Sequence, residues 1–167
     1  MNESHVKTVM IIDDDAVSRK KLVRIFHRLG VDQIEEEGQG DKALARLKER
    51  PVDLVMADWH MPGLTGIELL KAIRLDPNLN NTLVYLVTTE GRQAQIVSAI
   101  QAGATGYIMK PFSQESITQQ LRHLPGHNKE FSETIKNGKD IQPTQAANNS
   151  GCPQKEAPVS MTEVSAS

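Results

Sequence analysis

The sequence predicts an α/β fold, a five-stranded parallel sheet with helices on both faces. Three observations point to it. Four short apolar runs rich in β-branched residues recur along the chain, and runs this apolar read as strands buried on both faces, as in parallel sheets. Segments with helical periodicity fill the intervals between them. Gly or Pro residues close most of those segments, so strand and helix alternate through five units, which implies right-handed crossovers.

Val9-Met10-Ile11-Ile12 is the first strand. Asp13, Asp14 and Asp15 follow it, with Asp15 placed to cap a helix. Val17, Leu22, Ile25, Phe26 and Leu29 are expected on one side of that helix, which Gly30 ends. Gln33 to Glu37 is a weak strand whose three consecutive glutamates suit a sheet edge better than a centre. Ala43, Leu44 and Leu47 mark the second helix, before Pro51. Leu54-Val55-Met56-Ala57 is the third strand, running into Asp58, Trp59 and the Pro62-Gly63 turn. Ile67, Leu70 and Ile73 give the third helix, and Leu83 to Val87 the fourth strand. Ile96, Ala99 and Ile100 give a fourth helix ending near Gly103; Tyr107-Ile108-Met109 is the fifth strand. Ile117, Leu121 and Leu124 form a fifth helix, stopped by Pro125.

From Pro125 the composition shifts to Pro, Asn, Ser, Gln and Gly with scattered large apolar residues, too few to offset the entropy of ordering. The expected organisation is one folded domain over 5–124 and a flexible tail over 125–167. Phe131 and Ile135 in that tail are expected to form at most a transient, solvent-exposed helix.

Composition narrows the function. Nineteen Lys and Arg against 21 Asp and Glu leave a formal charge of −2, without the bulk basic field that drives nucleic-acid binding. The single cysteine, Cys152, cannot form an internal disulfide, and no apolar run has the length of a signal or membrane segment. A soluble, cytoplasmic monomer that binds neither nucleic acid nor membrane is expected.

In such a sheet the site lies at the C-terminal ends of the strands, beside the point where strand order reverses. That rule gathers Asp13, Asp14 and Asp15 after the first strand, Asp58 after the third, Thr88, Thr89 and Glu90 after the fourth, and Lys110-Pro111 after the fifth. Converging carboxylates repel one another unless they are protonated or hold a cation. Oxygen-only ligands select a hard ion, and a site open to a phosphorylated partner suits Mg2+ better than calcium or zinc. Beside it, Asp58 could attack phosphorus and form an aspartyl phosphate. Lys110 and the Thr88 hydroxyl would neutralise the other phosphoryl oxygens. Each residue alone also has a plainer reading: a solvated strand end for Asp13 to Asp15, turn polarity for Asp58, a strand-end hydroxyl for Thr88, a solvated ammonium for Lys110. Their shared topological position favours a site.

With these residues in this order, the chain resembles the receiver domains of two-component response regulators from about Val6 to Leu124. Asp58-Trp59-x-Met61-Pro62, Gly103-Ala104-x-Gly106-Tyr107 and Lys110-Pro111-Phe112 are similar to the stand-alone, CheY-like chemotaxis members. The resemblance, rather than any residue pattern, implies the flavodoxin-like strand order 2-1-3-4-5. It implies that Asp58 is the phosphoacceptor for a histidine kinase. It also implies that Asp14, Asp58 and the His60 backbone carbonyl ligate Mg2+ directly, with Asp13 acting through water. Thr88 and Lys110 would contact the phosphoryl group, and Thr88 with Tyr107 would form the switch. That switch would reshape the face of fourth helix, fifth strand and fifth helix, a two-state element biased by charge. A cis Lys110-Pro111 peptide is implied as well. His60 and Thr89 stand where the chemotaxis members carry Asn and Ala, and His60 and Glu90 are expected to bear on the lifetime of the aspartyl phosphate.

The resemblance implies a binding module that reports to a target such as the flagellar motor switch, with a phosphatase as a further partner. A phosphorelay intermediate, a phosphate sink or an adaptor for a non-motor target uses the same chemistry. A flavodoxin-type FMN protein is disfavoured because Asp13 to Asp15 would repel the flavin phosphate. An aspartate-based phosphatase is disfavoured because Trp59 and His60, not a second carboxylate, follow Asp58. No turnover enzyme is expected.

Overall fold

The computed structural model describes residues 6–122 and Leu124. The tail expected over 125–167, with Phe131 and Ile135, lies outside the described residues. Ten elements alternate: β1 (Thr8–Ile12), α1 (Ala16–Arg28), β2 (Gln33–Glu37), α2 (Gly40–Glu49), β3 (Leu54–Asp58), α3 (Gly66–Leu75), β4 (Leu83–Thr88), α4 (Gln93–Gln101), β5 (Gly106–Met109) and α5 (Gln114–Leu121). The strands are parallel and ordered β2-β1-β3-β4-β5, as the resemblance implied.

Strand alternation splits the core in two. Val9, Ile11, Leu54, Met56, Tyr85 and Val87 point to the side covered by α1 and α5, where they meet Leu22, Phe26 and Ile117. Met10, Ile12, Val55, Ala57, Val84 and Leu86 point the other way, onto Leu47 of α2, Leu69, Leu70 and Ile73 of α3 and Ala99 of α4. Two layers of helix thus clamp a sheet whose three central strands are buried almost throughout.

The acidic β2 does lie at an edge, and its neighbours explain the charge. Arg46 bonds Glu35 at 2.7 Å and Glu37 at 3.4 Å, while Arg19 bonds Glu36 at 3.1 Å. Partly exposed pairs of this kind contribute at most about 1 kcal/mol each. Their larger effect is to cover an open strand edge with charge.

Four expectations need correction. β5, expected to be buried on both faces, is the other edge: it has a strand on one side only, Tyr107 is half-buried and Met109 is 45% exposed. Val17, expected on the buried side of α1, is 76% exposed. Five residues before Leu22, it sits about 140° round the helix from that side chain, off the apolar stripe. Ile100 is 63% exposed, because α4 overlies the sheet margin and buries only Ala99. The fifth helix stops at Leu121, short of Pro125; Leu124 packs against the core from beyond its end.

Two caps set where helices begin beside the rim. The Asp15 carboxylate accepts from the Val17 and Ser18 amides, as expected; hydrogen bonding by the Ser18 side chain first, and then by these two amides, holds its pKa below the usual range. A Thr65-x-x-Glu68 capping box, not among the expected features, opens α3, each side chain bonding the other's backbone N–H.

Candidate functional site

Register makes the strand ends level. Ile12 pairs with Ala57, Asp58 with Val87, and Thr88 with Met109, so the residues just beyond β1 and β5 share a rim with Asp58, the last residue of β3. The acids that lie far apart in sequence therefore meet. Asp13, Asp14 and Asp58 each offer a carboxylate oxygen, all within 4.8 Å of one another; Asp13 and Asp58 are buried and Asp14 is exposed.

Lys110 enters this cluster from β5. Its Nζ donates to Asp13 Oδ2 at 2.8 Å and lies 3.1 Å from Asp58 Oδ1. Burial alone would lower the Lys110 pKa, but the bonds to Asp13 and Asp58 outweigh it and raise the value. Asp58 is pushed up from 3.8, chiefly by burial; Lys110 counteracts this, and Asp13 and Asp14 add to it. One ammonium among three carboxylates leaves negative charge uncompensated. The donors are all oxygen and one of them, on Asp14, is exposed, so the residues present fit a hard divalent cation and could hold a metal ion. Asp13 is fixed further by a bond from the Asp15 amide to its Oδ1 at 2.8 Å.

The remaining candidates stand around this cluster without all joining it. The Thr88 hydroxyl is turned to its own loop: it donates to the Glu90 carbonyl at 3.3 Å and accepts from the Glu90 amide at 3.0 Å. His60 Nε2 lies 3.8 Å from Glu90 Oε1, so the residues following β3 and β4 face each other across the rim. Glu90 also accepts from Gln95 Nε2 at 3.1 Å and has Arg92 Nε 3.6 Å away. Tyr107 lies half-buried on β5, and the Lys110-Pro111 peptide is cis.

Several contacts that support the pocket or the elements around it are not expected from the sequence. A Cβ at Gly66 would collide with the Asp58 carbonyl, so only glycine lets α3 start this close to the end of β3. Arg19 Nη1 donates to the Asp13 carbonyl at 2.6 Å, and Lys21 Nζ donates to the Phe112 carbonyl at 2.6 Å. Tyr85, whose ring packs over Gly106, donates its hydroxyl to the Gln120 carbonyl at 3.1 Å. Gly66, in the Pro-Gly-rich turn after Asp58, carried some signal; the partners of Lys21 and Tyr85 are too distant in sequence for periodicity to reveal, and the Arg19 bond to a main-chain carbonyl leaves no mark in residue type.

Comparison with known proteins agrees with this architecture. The model of the response regulator receiver domain matches residues 9–122. Chemotaxis protein CheY-3 of Vibrio cholerae is 39% identical over 113 residues, covering 68% of this chain and 87% of its own. The crystal structure of V. cholerae chemotaxis protein CheY4 superposes with a TM-score of 0.67 at 27% identity, covering 72% of this chain and all of the other. The CheX-CheY-BeF3-Mg complex from Borrelia burgdorferi gives a TM-score of 0.65 at 27% identity, covering 68% of this chain and 85% of that one. A family match that runs from the first strand to the end of the fifth helix, over a sheet of the implied order, makes this chain a member of the response regulator receiver domain family.

Proposed function

We propose that the protein is a phosphorylation-activated switch that accepts a phosphoryl group on Asp58 from a histidine kinase and then binds a downstream protein target. The observation that carries this reading is the Lys110 ammonium bridging Asp13 and Asp58 at a strand-end rim. An Asp58 oxygen forms the new bond to phosphorus as the phosphohistidine P–N bond breaks, and the Lys110 ammonium compensates charge on a phosphoryl oxygen. Asp14, Asp58 and the His60 carbonyl would hold Mg2+, with Asp13 acting through water. Mg2+ would supply further neutralisation of the phosphoryl oxygens. Two similar chains bear on these points: a chemotaxis CheY at 39% identity, and a CheY solved with BeF3, Mg2+ and CheX.

In this reading the Thr88 hydroxyl leaves the Glu90 backbone for the phosphoryl group, and Tyr107 responds on the α4-β5-α5 face. His60 and Glu90 set how long the phosphoryl group survives. The protein acts by binding rather than by turnover, in the cytoplasm, and its target belongs to chemotaxis, the flagellar motor switch being the first to test. No helix among the described residues is long and apolar enough to cross a membrane.

Trp59, the only tryptophan, adjoins Asp58 and reports on the pocket. Its fluorescence is expected to change with Mg2+ and again with acetyl phosphate, and Asp58→Asn is expected to abolish the second change. Undiminished phosphate incorporation in that variant would overturn the assignment.

A further inference from the structure

Lys21 lies on the exposed side of α1, where a lysine ordinarily extends into solvent. Here it does not. Its Nζ donates to the main-chain carbonyl of Phe112 at 2.6 Å and stands 4.9 Å from the centre of the Phe112 ring, within the range of a cation–π contact. The ring beneath is itself buried among Leu22, Ile25, Phe26 and Ile117. The ammonium is thus aimed at one backbone atom across a sequence separation of 91 residues.

That atom lies two residues beyond Lys110. The segment from Lys110 to Ser113 is held at its first residue by the Lys110 amide, which donates to the Thr88 carbonyl at 2.7 Å. At its last residue it is held by the Ser113–Ser116 capping box that opens α5. Pro111, between them, has no N–H to contribute. The Lys21 bond supplies a third attachment, from outside the segment, and it is charge-assisted, the stronger kind. Lys110 must span from this segment to Asp13 and Asp58, so any drift of the backbone displaces its ammonium from both acids.

We propose that Lys21 is a positioning residue for Lys110: by holding the Phe112 carbonyl against α1 it fixes where the Lys110 ammonium sits in the phosphoacceptor pocket. The helix then braces both sides of that pocket, since Arg19, two residues earlier, holds the Asp13 carbonyl. This inference rests on the phosphoacceptor reading of Asp58 and adds to it a residue outside the pocket.

The test is a beryllofluoride titration in saturating Mg2+, followed by Trp59 fluorescence, on the full chain and its variants. Lys21→Met keeps the stem and loses the donor. It is expected to weaken beryllofluoride binding by at least about threefold, with a ceiling near the roughly hundredfold cost of a ~1 Å misplacement. Lys21→Arg, a long cation, is expected to restore binding to within about twofold of wild type. In a Lys110→Met background, Lys21→Met should add nothing, because its effect runs through Lys110; a merely structural contribution would lower affinity by the same factor in both backgrounds. If Lys21→Met does not fold, Lys21→Gln takes its place and must obey the same ordering. Wild-type affinity in the Lys21 variant, or equal factors in the two backgrounds, overturns the inference while leaving the function intact. A wild-type chain that does not bind beryllofluoride, or an Asp58→Asn variant that binds it equally well, removes both.

Discussion

Replacing Lys110 by methionine tests the electrostatics of the pocket directly. The substitution removes the ammonium bonded to Asp13 and Asp58 and keeps most of the alkyl stem. Asp13, 1% exposed, is left with the Asp15 amide, and Asp58 with no ion-pair partner among the described residues. Breaking a buried ion pair from one side costs about 3–5 kcal/mol. The lower end applies, because burial already favours protonation of Asp58 and the group can neutralise itself. At roughly 3–4 °C per kcal/mol for a domain of this size, the loss is about 10 °C in Tm. The assay is thermal unfolding by circular dichroism at neutral pH, first in EDTA and then in excess Mg2+. A cation that binds only the folded state at a hundredfold excess over its Kd stabilises by about 2.7 kcal/mol. The variant should recover more than wild type gains, since the ion no longer competes with the ammonium for the same oxygens. A variant melting within about 2 °C of wild type in EDTA would refute the idea that this ammonium compensates the acids.

Three further outcomes are expected. Burial raises the Asp58 pKa above 3.8 despite Lys110, so the folded state binds that proton more tightly than the unfolded one. Stability therefore falls as pH rises from about 3.8 through the raised value, and Asp58→Asn should be the more stable protein at neutral pH without metal, with a flatter pH profile in urea melts. Gly66→Ala drives a methyl group into the Asp58 carbonyl and should cost roughly 1–3 kcal/mol; a weaker Mg2+ response of Trp59 fluorescence should accompany the lower urea midpoint. Tyr85→Phe deletes the bond to the Gln120 carbonyl and should cost about 1 kcal/mol in the same urea assay, with the Mg2+ response unchanged.

Much of the fold was legible because its strands are continuous apolar runs, and such runs have few other places to go. The rim was legible for a related reason: polar residues terminating those runs must emerge together once the strands are parallel and level. Contacts that cross the chain were not. Arg74 reaches the Gly103, Asn80 and Thr82 carbonyls from α3, and nothing in its neighbourhood announces three main-chain partners. Lys21 reads as an ordinary helix lysine until α5 is laid beside it. Exposure also misled where periodicity was applied loosely, as at Val17, and where a helix overhangs the sheet, as at Ile100. Thr88 was placed at the right strand end, but its hydroxyl is engaged by the Glu90 backbone rather than aimed at Asp58.

α4 is fastened lightly: Ala99 is its one buried residue, against Leu22, Ile25 and Phe26 in α1 and four buried residues in α3. Burying a large aliphatic or aromatic side chain is worth about 1.5–3 kcal/mol, whereas a lone alanine methyl is worth less than about 1. Sliding or tilting α4 by an ångström therefore forfeits little cohesion, while the same displacement of α1 would tear the hydrophobic interior. Of these three helices α4 is therefore the one that a perturbation at the adjoining strand ends displaces at least cost. The molecule can move one wall and keep the rest of the house standing.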